Sequence, residues 1–122
     1  MEDVKENLSK KPDTHSRPNI TSGTTEKLKT GCGNLYVTIN IDNDGKPFEI
    51  FTCIGKAGGC AASQLEAIGR LVSLALRSGA ELNETVKQLI GIRCHSPIWE
   101  NGVQILSCPD AISKAISRHL DK

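Results

Sequence analysis

Aromatic residues are nearly missing from this chain: Trp99, Tyr36, Phe48 and Phe51 are all there are among 122 residues. A core must therefore be aliphatic and partly built from alanine. With 38% hydrophobic residues it is real but modest. No sign of charge dominates, because 15 basic residues face 14 acidic ones. That balance argues against a nucleic-acid or membrane surface driven by bulk charge and leaves room only for a local basic patch. No apolar run reaches the length of a membrane span. The opening "MEDVKENLSKKPDTHSRPN" carries no apolar h-region of a secretory signal. A cytoplasmic location follows as the expectation, with the five cysteines mostly reduced. An odd number of cysteines also suits a disulfide framework poorly. No C-x-x-C pair, Walker A loop, Rossmann glycine spacing or Ser-His-Asp arrangement is found.

What is present sorts into one domain. Residues 1–29 carry six basic and five acidic residues, two prolines and no aromatic. They offer little apolar surface against the entropy of ordering. They read as a flexible, disordered arm, either solubilising or docking, with the folded domain over 30–122. "LYVTINIDNDGKPFEIFTCI" alternates on both sides of Asp44-Gly45, which predicts a β-hairpin. The register then sets Leu35 against Ile54, Val37 against Thr52, Ile39 against Ile50 and Ile41 against Phe48, all on a core face. Pro47 is expected at an edge. "CAASQLEAIGRLVSLALRSG" changes to a helical period, with Ala61, Leu65, Ile68, Val72 and Ala75 on one stripe, widened by Leu71, Leu74 and Leu76. Gly79 is the expected stop. "NETVKQLIG" predicts a short helix capped by Asn83 and stopped at Gly91, "NGVQIL" a turn and strand, and "SCPDAISKAISRHL" a final helix. The fold class is therefore α+β: a hairpin or small antiparallel sheet against one long and two shorter helices. Residues 103–106 or a second copy of the chain are expected to complete the sheet.

Four cysteines share a setting. Cys32 precedes the first predicted strand, Cys60 and Cys108 stand at helix starts, and Cys94 follows a helix. Side chains from distant segments can meet at such element ends. Three readings stay open from spacing alone: a zinc site, buried inert fillers, or redox thiols. His95 is a conceivable substitute ligand, and Cys53 lies apart, within a strand. The loop "GKAGGC" before the long helix has free backbone N–H groups and a lysine. Lys56, Gly58 and Gly59 could form an anion nest for a nucleotide or phosphate. The plainer reading is a tight strand-to-helix connection that needs glycine.

Taken together, "TGCGNLYVTIN", "GKAGGCAASQLEAIGRLVSLALRSG", "LIGIRCHSP" and "LSCPDAISKAI" resemble the TSCPD domain, named for a Thr-Ser-Cys-Pro-Asp motif. The resemblance covers roughly residues 29–121 and departs from the name motif only at Leu106. That domain occurs near the C-terminus of adenosylcobalamin-dependent ribonucleoside-diphosphate reductases and as a small separate protein. The resemblance maps the motif cysteines onto Cys32, Cys60, Cys94 and Cys108 and implies that they share one metal, zinc. It implies an accessory or interaction module of ribonucleotide reduction. The partner would be a reductase catalytic chain, with a homo-oligomer, nucleic acid or nucleotide as other occupants and no membrane. The catalytic barrel and cobalamin site of such reductases do not fit in 122 residues, so adenosylcobalamin is not expected to bind this chain alone. The alternatives implied are a thiol module passing electrons to a reductase and a nucleotide-binding module at the glycine loop.

Overall fold

The computed structural model describes residues 17–55 and 59–120. Its elements are β1 (Ser22–Thr30), β2 (Gly33–Ile41), β3 (Pro47–Ile54), α1 (Gly59–Arg77), α2 (Leu82–Leu89), β4 (Ile98–Glu100), β5 (Val103–Ile105) and α3 (Cys108–Ser117). The class is α+β, as the alternation and periodicity require. No helix among the described residues is long and apolar enough to cross a membrane.

Strands β1, β2 and β3 form one antiparallel sheet in that order. The register between β2 and β3 follows the alternation, with Leu35 opposite Ile54, Val37 opposite Thr52 and Ile39 opposite Ile50. It breaks at the turn. Ile41 lies opposite Pro47 rather than Phe48, after an irregularity between Asn40 and Ile41. The turn is longer than two residues. The Asp42 carboxylate accepts from the N–H groups of Asp44 and Lys46. Gly45 alone takes a positive φ, at 79°, the αL residue that closes a bulged hairpin. Pro47 begins the edge strand β3, where its missing N–H costs no ladder bond.

The third strand departs from expectation. It comes from residues 22–30, most of which were assigned to the arm, and it pairs with β2 along its whole length. Residues 103–105 instead pair with 98–100 as a separate hairpin. Asn101 (φ 52°) and Gly102 (φ 81°) make its turn, as the Asn-Gly dipeptide favours. In β1 only Leu28 is a buried hydrophobic residue. A strand of threonine, lysine and glutamate carries little apolar signal, so its pairing is decided by β2. The remainder of the expected arm, residues 1–16, lies outside the described residues.

One face of the sheet carries Leu28, Leu35, Val37, Ile39 and Ile50 into a core with α1, α2 and α3. Helix α3 brings Ala111 and Ala115, both fully buried, and small side chains let it approach β1 and β2 closely. Helix α1 runs beside β3. Its Ser73 hydroxyl accepts from Ile50 N–H at 3.0 Å and donates to Ile50 C=O at 3.2 Å, which satisfies backbone groups of the edge strand. Leu65, Gly69, Val72, Ser73 and Leu76 are the buried face of α1, while Leu71 and Leu74, expected to widen the stripe, are 67% and 48% exposed. Gly79 ends α1 at φ 95°. Asn83 does not cap α2; Glu81 precedes the helix, without a side-chain cap.

Candidate functional site

The last helix begins with a set of interlocking bonds. Ser107 is its N-cap: its hydroxyl accepts from Asp110 N–H at 3.1 Å and donates to the Ile92 carbonyl. Cys108 and Pro109 follow in the first turn. Asp110, 1% exposed, accepts from Gly91 N–H at 2.9 Å, Leu106 N–H at 3.0 Å and the Lys114 ammonium at 2.6 Å. Burial pushes the Asp110 carboxyl up. The donors Leu106 N–H, Lys114 and Gly91 N–H, with the charge of Lys114, outweigh it, so the group sits below the usual carboxylate range. Each polar member of "SCPD" thus ties α3 to the segment leaving α2. The Asp110 role was missed in sequence: a [ST]-x-x-[DE] pattern points to the Ser107 cap, not to the bonds that Asp110 makes with Gly91 and Leu106.

That segment carries Cys94. Its N–H donates to the Leu106 carbonyl at 3.0 Å, and its sulfur accepts from Ser96 N–H at 3.3 Å. Ser96 in turn lies against the β1–β2 turn. A Cβ on Gly31 would stand 1.9 Å from the Ser96 carbonyl oxygen, so only glycine permits this approach. Next to Gly31 is Cys32, whose N–H donates to the Thr30 hydroxyl at 3.2 Å. The Cys108 thiol donates to the same hydroxyl at 3.5 Å. Thr30 and Gly31 are therefore the joint that brings three cysteines to one corner, and nothing in their types marked them for it.

Cys108 is buried, and that burial pushes its thiol above the ordinary value. The hydrogen bond with Thr30 pulls it back, while Cys32, by charge and hydrogen bonding, and Cys94, by charge, raise it again. Cys32, Cys94 and Cys108 are thus electrostatic neighbours. Cys60 is exposed at the second position of α1 and is not among the groups that act on Cys108. It belongs to the same end of the sheet by topology: Gly55 N–H donates to Asn34 C=O, beside Cys32, and Cys60 follows five residues later. Thiolates are the donors zinc prefers. Among the described residues, however, no three His, Cys, Asp or Glu side chains are grouped so that they could hold a metal ion. Cys53 and His95 are exposed, Cys53 on the opposite face of the sheet. Of the expected anion nest, Gly59 is the exposed first residue of α1, and Lys56 and Gly58 lie outside the described residues.

No curated protein and no solved structure matches the chain. A family model does. The TSCPD domain matches residues 7–120, so the match extends well into the segment read as an arm and includes all of β1. TSCPD is a domain of class II ribonucleotide reductases, and with nearly its whole length matched, the chain belongs to the TSCPD domain family.

Proposed function

We propose that the chain is an accessory module of ribonucleotide reduction, held together at its cysteine corner by one zinc ion. Cys32, Cys94 and Cys108 supply three thiolates and Cys60 the fourth, and the module docks on a reductase catalytic chain. The observation that carries this reading is the meeting of Cys32, Cys94 and Cys108 at one joint from three separate segments. The Ser96 N–H aimed at the Cys94 sulfur supplies the kind of hydrogen bond that supports a metal-bound thiolate. A closed four-thiolate shell is structural, so the metal would anchor β1–β2, α1 and α3 of a domain with a thin core. No catalytic step is assigned to it.

The test is elemental analysis of the purified full chain together with a count of free thiols. The expected result is one zinc per chain. Serine at any of Cys32, Cys60, Cys94 or Cys108 should lower metal content and stability, and Cys53→Ser should lower neither. A metal-free, reduced and well-folded protein with every thiol open to titration refutes the zinc site. A reversible disulfide between Cys32 and Cys108 in metal-free protein would favour the electron-delivery alternative, because both residues bond to the Thr30 hydroxyl.

A further inference from the structure

The face of the sheet turned away from the core buries Asn40 and Glu49 at one end but is open around Tyr36 and Phe51, and its composition there is unusual for this chain. Of the four aromatics, only Phe48 is buried; Tyr36 is 39% and Phe51 51% exposed. The register places both on this open face, on adjacent strands and diagonal to one another, since Tyr36 opposes Cys53 and Thr38 opposes Phe51. The same register sets Lys27 opposite Tyr36 and Lys29 opposite Asn34. Both lysines are exposed, and neither has an ion-pair partner among the described residues. Thr25 and Thr38 share a hydroxyl hydrogen bond at 2.8 Å between these rows. On the far side of Phe51 a cavity of about 640 Å³ opens between β3 and α1, lined in part by Arg17, Arg70 and Arg77. Glu49 is held by Arg17 and Glu66 by Arg70. Among the described residues Arg77 has no such carboxylate, and its Nε is buried without a hydrogen-bond partner.

We propose that this face binds single-stranded nucleic acid. Two bases stack on Tyr36 and Phe51, and the phosphates flanking them meet Lys27 and Lys29 on one side and Arg70 and Arg77 on the other. Aromatic side chains on an open antiparallel sheet offer every base a π-face, and cations beside them track the backbone. The near-neutral chain excludes attraction by total charge, not by this strip, where five cations outnumber three carboxylates: Glu49 and Glu66 are already paired, and Glu100 is bonded to the Lys29 backbone N–H. A peptide partner would meet Phe51 and Leu74 in the same cavity, but the cations on both sides of the rings suit a phosphate backbone better than an apolar side chain. The site is independent of the cysteine corner and of any metal there.

The experiment is fluorescence anisotropy of a labelled short oligothymidylate titrated with the full chain at low salt. An unlabelled duplex and inorganic polyphosphate serve as competitors. Tyr36 and Phe51 are exposed, so their alanine variants keep the fold, which circular dichroism verifies. Each substitution should weaken binding about 5- to 150-fold, the range of one base–aromatic stack. Lys27→Gln with Lys29→Gln should reduce the slope of log affinity against log salt by about 1.4, at ~0.7 per phosphate contact on a single strand. The duplex should compete poorly. No binding by the parent at low salt overturns the proposal. So does binding that Tyr36→Ala and Phe51→Ala leave unchanged and polyphosphate matches, which would be attraction to a polyanion without base stacking.

Discussion

Removing the Asp110 carboxylate should do more damage than any other single polar deletion in the fold. The side chain is buried and accepts from two backbone N–H groups and one ammonium. In Asp110→Ala, Gly91 and Leu106 keep buried or half-buried donors with no acceptor, and Lys114 loses its counterion. Breaking a buried charged pair by removing one member costs about 3–5 kcal/mol. In a domain of roughly this size 1 kcal/mol moves the melting temperature by about 4–8 °C. Asp110→Ala should therefore melt at least ~12 °C lower, by circular dichroism, with a matching shift of the urea midpoint. Asp110→Asn keeps the volume and one carbonyl oxygen but turns an amide N–H toward a donor, so its loss should be intermediate. The sign of the pH dependence follows from the lowered folded-state pKa. The stabilisation is complete above the unfolded aspartate value and is lost as the pH falls through the lower folded value. The parent should lose stability in that acid window, and Asp110→Asn should lose less there. An Asp110→Ala protein within about 1 kcal/mol of the parent would refute the hub and the reading of "SCPD" built on it.

Three further outcomes follow from single contacts. Gly31→Ala forces a methyl into the Ser96 carbonyl; it should cost about 1–3 kcal/mol in urea unfolding and, under the proposed zinc site, lower zinc content by prising Cys94 from Cys32. Leu28→Ala should cost about 2–5 kcal/mol, because Leu28 is 4% exposed in the core; an unchanged stability would return β1 to the arm. Ser73→Ala leaves the Ile50 N–H and C=O without their helix partner and should cost about 1–3 kcal/mol, with amide exchange at Ile50 rising ahead of its neighbours.

The parts of the fold legible in sequence were those where one residue type decides locally. Alternation between Leu35 and Ile54 set strand identity and most of the register, because a slip by one residue would turn every aliphatic side chain to water. Gly79 and Gly91 ended helices where a positive φ was needed. What stayed hidden was decided by neighbours. Strand β1 has one core residue, and its other side chains are the polar and charged types of a solvated segment. It is a strand because β2 presents a free edge. The α1 stripe is where the period put it, at Leu65, Ile68, Val72 and Leu76, but it is not widened by Leu71 and Leu74: a glycine and a serine, Gly69 and Ser73, flank it instead. Ser73 bonds to the Ile50 backbone, which keeps the serine inside while Leu71 and Leu74 stay exposed.

The same division runs through the candidate sites. Element ends pointed to the four cysteines, and three of them do share a corner, but the joint that gathers them consists of Thr30, Gly31 and Ser96. Their value lies in a hydroxyl that can accept and donate at once and in the absence of a Cβ, neither of which has a spacing to read. The open sheet face was harder still. Its lysines lie in the strand that sequence reading assigned mostly to the arm, so Lys27 could not be set opposite Tyr36 until β1 was in place. With β1 in the sheet, the scarcity of aromatics gains a meaning. A chain that needed rings for its core would bury them, and this one buries Phe48 alone while the aliphatic residues fill the interior. Tyr36 and Phe51 are left at the surface among cations, where folding gains little from them and a stacked base could gain much.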